Sequence, residues 1–188
     1  MPSLTDVYLP EAFKNDDKTV TIRGGICITT VSRSDIGELF LYLPIPSPEM
    51  YQDCMTLLKG SSEVTDLVIG NNMCPFENVT TFDVTKYPNL KSLKMGNNGF
   101  WYVNKVNLTG LNGLESVEIG KNSFTQNRGC FNLKDCPNVR KLKIGYDAFS
   151  AYTSCEIDTV SALESIEIGT NSFNASSLLL RSLLLSRE

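Results

Sequence analysis

The chain has 188 residues, 41% hydrophobic and 20% charged, with a formal net charge of −4 and no histidine. That length supports one domain with a real core, and an acidic balance without a basic run excludes the positive footprint a nucleic-acid surface needs. No apolar run approaches the roughly 20 residues of a membrane helix, and without histidine neither a Ser-His-Asp nor a Cys-His pair can be assembled.

From the start, "LTDVYLPEAF" (Leu4–Phe13) reads as a strand and a turn, and "VTIRGGICITTV" leads toward a further strand at Ile28–Val31. Between Ser34 and Gly70 lies an insertion containing the proline-rich "LPIPSPEM", predicted to be a loop. "TLLKG" at Thr56–Gly60 then rejoins the register of "VNLTG" at Val106–Gly110. Residues 4–63 are therefore read as irregular N-terminal repeats, with weak helix signals throughout.

Regular repetition begins at Val64. "LESVEIGKNSF" (Leu114–Phe124) and "LESIEIGTNSF" (Leu163–Phe173) are nearly the same phrase, and "VRKLKIGYDAF" stands between them. A marker glycine recurs at Gly70, Gly96, Gly120, Gly145 and Gly169, in steps of 24 to 26 residues. Periods of this size signal stacked supersecondary units. Three positions before each glycine are apolar: Val64, Leu90, Leu114, Val139 and Leu163; Leu67, Leu93, Val117, Leu142 and Ile166; Ile69, Met95, Ile119, Ile144 and Ile168. Four residues past the glycine stand Cys74, Phe100, Phe124, Phe149 and Phe173.

A second apolar set occupies Phe82, Val106, Phe131 and Cys155, then Val84, Leu108, Leu133 and Ile157, then Tyr87, Leu111, Cys136 and Val160. Its alternation has the period of a strand. The expected fold is mostly β, a solenoid of 24–26-residue coils with a parallel sheet and a second strand row opposite. Five regular repeats span 64–173, and 174–188 begin a repeat that does not finish. The start and the apolar "LLLRSLLLSRE" both read as cut, so the expectation is a fragment or self-association through the C-terminal end. No basic-then-apolar leader is visible. A complete chain would then be cytoplasmic, and a piece of a longer protein would sit at the cell surface.

Two residues past the glycine lie Asn72, Asn98, Asn122, Asp147 and Asn171, expected to satisfy backbone groups within the turn. "LKSLKMGNNGF" reads as LxxLxLxxNxF and resembles the leucine-rich repeat, closest in pattern to BspA-like and protist tandem repeats. The resemblance implies a parallel sheet along one face and protein binding as the usual task.

No cofactor, metal site or catalytic residue is expected. The cysteines are read as buried hydrophobes at Cys74, Cys136 and Cys155, with a Cys130–Cys155 disulfide as the alternative. Two outward columns carry alternating charge: Lys91, Glu115, Arg140, Glu164, and Lys94, Glu118, Lys143, Glu167. They set register and solubility, or form a polar recognition face. Tyr8 and Val68 break the second column. Trp101, Tyr102 and Tyr146 break the pattern of their turns and are, with that column, the candidate partner-binding residues, as anchors or as shields of the coil edge. Sequons at Asn78, Asn107 and Asn174 are candidate glycosylation sites.

Two readings of function follow. One is a non-enzymatic protein-recognition scaffold, and the other is a structural or adhesive segment of a longer surface-exposed repeat protein.

Overall fold

The computed structural model describes residues 6–8, 20–23, 30–31, 48–174 and 176–181. In chain order come β1 (Asp6–Tyr8), β2 (Val20–Arg23), β3 (Thr30–Val31) and helix α1 (Pro48–Lys59). The regular coils follow as β4 (Asp66–Ile69), β5 (Thr81–Asp83), β6 (Ser92–Met95), β7 (Lys105–Thr109) and β8 (Ser116–Ile119). They continue as β9 (Cys130–Lys134), β10 (Lys141–Ile144), β11 (Ser154–Asp158), β12 (Ser165–Ile168) and β13 (Ser177–Arg181).

The protein is a β-solenoid. Even-numbered strands of the regular coils stack into one parallel sheet, in the order β4-β6-β8-β10-β12. Odd-numbered strands stack into a second, β5-β7-β9-β11-β13. One coil cannot bury its own apolar side chains, so each rests on the next. Every inward position of the regular repeat is buried except Val64, which is partly buried and packs on the core.

The corner after each first-sheet strand explains three recurrent residues at once. Gly96, Gly145 and Gly169 donate backbone hydrogen bonds to Ile69, Ile119 and Ile144 of the preceding coil, each at 2.8 Å. A Cβ on Gly120 would sit 2.2 Å from the Gly96 carbonyl oxygen, so the stacked corners admit only glycine. Gly70, in the first coil, has nothing beneath it and carries no such constraint.

The Asn/Asp column has a cause beyond hydrogen bonding. Asn72, Asn98, Asn122, Asp147 and Asn171 all have φ between 52° and 61°, a left-handed conformation that Asn and Asp tolerate better than other L residues. The amide ladder is shared with the residue before: the Asn97 N–H donates to Asn71 Oδ1 at 2.7 Å, and Lys121 N–H to Asn97 Oδ1 at 2.8 Å. Asn122 Nδ2 also donates to Asn98 Oδ1 at 3.2 Å.

The phenylalanines are left-handed too, with φ of 56°, 58°, 57° and 52° at Phe100, Phe124, Phe149 and Phe173. A bulky residue there is strained by about 1–2 kcal/mol. The compensation is a stack of rings: Phe124–Phe149 and Phe149–Phe173 lie 4.7 and 4.8 Å apart with planes 3° apart. Ring spacing thus matches strand spacing, and each coil from Phe100 onward adds one ring to a continuous apolar column.

Tyr152 pins three coils together. It is fully buried, and its hydroxyl donates to the Val103 carbonyl at 2.6 Å. A Cβ on Gly129 would meet its ring at 2.4 Å, which accounts for that glycine. Tyr152→Phe leaves the Val103 carbonyl without this donor, so we expect a loss of about 1–2 kcal/mol in urea unfolding. An unchanged midpoint would mean that water or another donor replaces the phenol.

The termini of the solenoid depart from the sequence reading in two ways. First, residues Pro48–Lys59 are helical, where "SPEM" was expected to be loop and "TLLK" to be strand. The apolar residues Cys54, Met55, Leu57 and Leu58 face the core end, and only Gly60, with φ 81° against 71° at Gly110, keeps the predicted register. The helix's last carbonyls find side-chain donors: Tyr87 hydroxyl to Leu57 at 2.5 Å and Lys86 Nζ to Leu58 at 2.9 Å.

Second, the N-terminal strands do not precede β4. β1 pairs with β12 and β3 with β1, extending the first sheet beyond the last regular coil. β2 pairs with β13 in the second sheet. The register is that of the repeat, because Val7 stands opposite both Ile166 and Val31, and 7 to 31 is one period. Residues 9–19, 24–29, 32–47 and 182–188, with the flanks of the expected Leu4–Phe13 copy, lie outside the described residues.

Candidate recognition surface

The outer face of the first sheet carries the candidate residues from the second charged column. Strand alternation turns Leu67, Leu93, Val117, Leu142 and Ile166 inward and their successors outward. The register then aligns Val68, Lys94, Glu118, Lys143, Glu167 and position 8 in one row across six strands. Val68 and Tyr8, which break the charge pattern, thus stand at the two ends of this row.

The charges pair as their register requires. Lys94 Nζ lies 3.7 Å from Glu118 Oε2, and Lys143 Nζ lies 3.0 Å from Glu167 Oε2. The Glu167 hydrogen bond, then its charge, holds the Lys143 ammonium above its ordinary pKa, and Glu118 adds to the effect. Such exposed pairs are worth only about 0.2–1 kcal/mol each. Their larger effect is geometric, in fixing long side chains on a flat face.

The first column behaves differently. Arg140 Nη1 lies 3.4 Å from Glu164 Oε1, while Lys91 and Glu115 form no ion pair among the described residues. These residues lead into their strands rather than lying on them, so register does not force them together.

Val68 is the one large hydrophobic side chain classed as exposed among the described residues, at 72%. On the adjoining strand edge, Asp66 accepts from the Ser92 hydroxyl at 2.5 Å, and that bond, then the one from Thr65, lowers its pKa. Beside this edge lies an open polar groove of about 700 Å³, lined in part by Glu63, Thr65, Asn89 and Lys91. Asn89 Nδ2 is already engaged with the Ser62 carbonyl at 2.9 Å.

The aromatic candidates are not brought to this face. Trp101 and Tyr102 lie in the turn after Phe100 and are half-buried. Tyr146 is half-buried as well, and its hydroxyl accepts from Asn171 Nδ2 at 3.4 Å. They lie in the turns between the two sheets, in coils two steps apart.

The cysteine pattern is corrected. Cys74 does occupy the ring column, with φ 53° like the phenylalanines. It is disulfide-bonded to Cys54 of α1, at a Cα–Cα distance of 5.2 Å. Cys130 and Cys155 are both free. Cys130 stands opposite Ser154 and faces outward, while Cys155 is its neighbour in the next inward position. Strand alternation puts the two thiols on opposite sides of one sheet. Burial, then the nearby Glu156 charge, raises the Cys155 thiol far above its ordinary pKa; burial is also the main cause at Cys136. Both are therefore poor nucleophiles at neutral pH.

The second sheet holds a pair that the sequence reading passed over. Lys134 Nζ lies 2.6 Å from Glu156 Oε2, and both are less exposed than the first-sheet pairs. Strand alternation of "NLK" and "CEI" carried that signal.

The sequons differ in setting. Asn78 is exposed, and its Nδ2 donates to the Tyr51 hydroxyl at 3.2 Å. Asn107 faces outward as expected but is half-buried mid-strand, donating to Asp83 at 3.3 Å and accepting from the Thr109 hydroxyl at 2.7 Å. Asn174 is exposed, while Ser176 of its sequon is buried and donates to the Tyr152 carbonyl.

Asp147, the one acid in the Asn column, has its pKa raised by burial. A carboxyl with a raised folded-state pKa binds its proton more tightly folded than unfolded. It therefore favours folding at low pH and loses that contribution as pH rises through the carboxylate range. Asp147→Asn should raise stability at pH 7, by about 1 kcal/mol or less, and the gain should vanish below pH 4. A gain independent of pH would assign the effect to something other than the charge.

Among the described residues, no group of three or more His, Cys, Asp or Glu side chains is placed to hold a metal ion, and no helix is long and apolar enough to cross a membrane. Comparison with protein-family models, with curated proteins and with solved structures finds no match.

Proposed function

We propose that this chain is a non-enzymatic protein-recognition scaffold of leucine-rich-repeat type, and that it recognises its partner through the outer face of the first sheet. The observation that carries this reading is Val68, 72% exposed at one end of a row whose middle four residues, Lys94, Glu118, Lys143 and Glu167, are ion-paired. An apolar contact beside polar groups matches the apolar centre and polar rim of a protein interface. The paired charges leave no single-sign field, so they would confer register on a partner rather than long-range attraction. The family reading is supported by the LxxLxLxxNxF phrase, the period and the parallel rows.

The test is capture from cell extract and surface fractions, with parent, Val68→Asp and a Lys94→Glu/Glu118→Lys swap, each shown to be folded by circular dichroism. A protein held by the parent and lost by both variants supports the reading. Loss only when Trp101, Tyr102 and Tyr146 are changed to Ser would move the site to the corner. Identical capture by all would remove this face from consideration.

A second reading is favoured by a different observation. The Cys54–Cys74 disulfide is of a kind that persists in oxidising compartments. That supports a structural or adhesive segment of a longer, surface-exposed repeat protein. Protein in its native setting should then carry the bond oxidised, which alkylation before reduction followed by mass analysis reads directly.

A further inference from the structure

Across the outer face of the first sheet the register sets Val68, Lys94, Glu118, Lys143, Glu167 and Tyr8 in one row. In charge it runs valine, plus, minus, plus, minus, tyrosine. From the other end it runs tyrosine, minus, plus, minus, plus, valine. Laid on its own reverse, the row puts a glutamate opposite each lysine, and position 8 opposite Val68. A two-fold interface demands this property, because one patch must serve both copies.

Taking this face as the recognition surface already proposed, we infer that its partner is a second copy of this chain, docked face to face with the rows reversed. The two-fold axis runs along the strands and passes between Glu118 and Lys143. Lys94 then faces the second copy's Glu167, and Glu118 faces its Lys143. The pairs within each copy, Lys94 with Glu118 at 3.7 Å and Lys143 with Glu167 at 3.0 Å, persist. The second copy completes a chequerboard in which each charge has opposite charges as its nearest neighbours.

Charge fixes both direction and register. A shift of one strand sets lysine on lysine and glutamate on glutamate, and laying the row in its own order does the same. Like charges placed opposite repel, while unlike ones attract. The column at the strand entries has the same order: Lys91, Glu115, Arg140, Glu164. The same axis sets Lys91 opposite Glu164 and Glu115 opposite Arg140, so Lys91 and Glu115 gain the partners that no described residue of their own copy supplies. The exception is Asp66, which the axis sets opposite position 6, also aspartate. It lies at the end of the face, and its carboxylate already accepts from the Ser92 and Thr65 hydroxyls. The face measures about 29 by 13 Å, well under the roughly 800 Å² per partner of a standard interface. The dimer is therefore weak and reversible, and its exposed charges make it sensitive to salt.

The experiment uses the full chain. Copies with heavy and light nitrogen are mixed at rising concentration in low salt and treated with a carbodiimide, which joins a lysine amine directly to a carboxylate. Within one copy Lys94 and Glu167 stand three strand spacings apart, about 14 Å, beyond the reach of a direct amide bond. We expect a heavy–light link between Lys94 and Glu167, its share growing with concentration and falling about tenfold in about 0.5 M salt. Two variants, Lys94→Glu/Lys143→Glu and Glu118→Lys/Glu167→Lys, are first shown to be folded by circular dichroism. Each should be monomeric alone in light scattering, and the two should form a one-to-one dimer when mixed. Should either fail to fold, the link in the parent decides. Links confined to neighbours within one copy, with a parent that stays monomeric, overturn the inference. A dimer whose heavy–light links lie elsewhere overturns it as well. The recognition face is judged separately: a different protein captured by the parent and lost by Val68→Asp, beside a monomeric parent, keeps the face and removes the second copy as its occupant.

Discussion

Phe149→Ala should be the most damaging single substitution in this protein, lowering stability by about 3–5 kcal/mol in urea unfolding. Phe149 is fully buried and touches more rings than any other member of its column. Phe124 and Phe173 stack on its two faces at 4.7 and 4.8 Å, and Phe131 and Tyr152 meet it edge-on at 5.1 and 4.9 Å. Removing it leaves a ring-sized hole between coils that cannot close, because each coil is fixed to its neighbours by two rows of strand pairing. A second substitution separates packing from backbone strain. At φ 57° alanine keeps its Cβ penalty and glycine does not. Phe149→Gly should therefore cost about 1 kcal/mol less than Phe149→Ala, the reverse of their usual order in regular structure. Equal losses, or a worse glycine, would show that position 149 is not left-handed in solution. A loss under 1 kcal/mol for alanine would remove the ring from the core.

The stacked coils were legible because burial in a solenoid repeats with the chain. Leu67, Leu93, Val117, Leu142 and Ile166 recur at one period, and no single-coil accident could align them with Ile69, Met95, Ile119, Ile144 and Ile168. The charged row was legible for the same reason, since parallel register turns equal sequence spacing into adjacency. What the pattern could not show was conformation and order. The letters N and F mark the turn, but nothing in them states that both are left-handed; only the backbone does.

Order was hidden more deeply. β1 matches the repeat as well at the far end as at the near one, because every coil offers the same edge. Helix α1 was missed because proline and serine precede it, and because "TLLKG" imitates a strand ending in glycine. Its disulfide was missed for a related reason: Cys74 lies in register, but Cys54 does not. Of the candidate surface, Val68 and the charges were placed correctly in one row. The three aromatics, read as anchors or as shields of the coil edge, are half-buried in the turns that follow their first-sheet strands, and Tyr146 accepts a hydrogen bond from Asn171.

Cys54→Ser with Cys74→Ser should cost about 3 kcal/mol, the entropy a cross-link of this loop length removes from the unfolded chain. The bond closes a separation of 20 residues. Besides the bond, α1 is held by Tyr51 against Phe76, edge-on at 5.0 Å, by the Asn78 donor to the Tyr51 hydroxyl, by the donors from Tyr87 and Lys86 to its last carbonyls, and by Met55, Leu57 and Leu58 on the core. The helix buries the end of the ring column, where Cys74 takes the place of a phenylalanine. Loosening it frees Cys54, Met55, Leu57 and Leu58 from the core at that end. A reductant should lower the parent's unfolding midpoint to that of the double variant and leave the variant itself unmoved. Amide exchange locates the effect. It should quicken in α1, β4 and β5 and stay slow in β10, β11 and β12, because coils two or more steps away are held by their own neighbours. Uniformly faster exchange would mean that the solenoid unfolds as one unit and that the cap is part of it. Equal midpoints for parent and variant would mean that the helix stays docked without its bond, and that the disulfide follows from the fold rather than securing it.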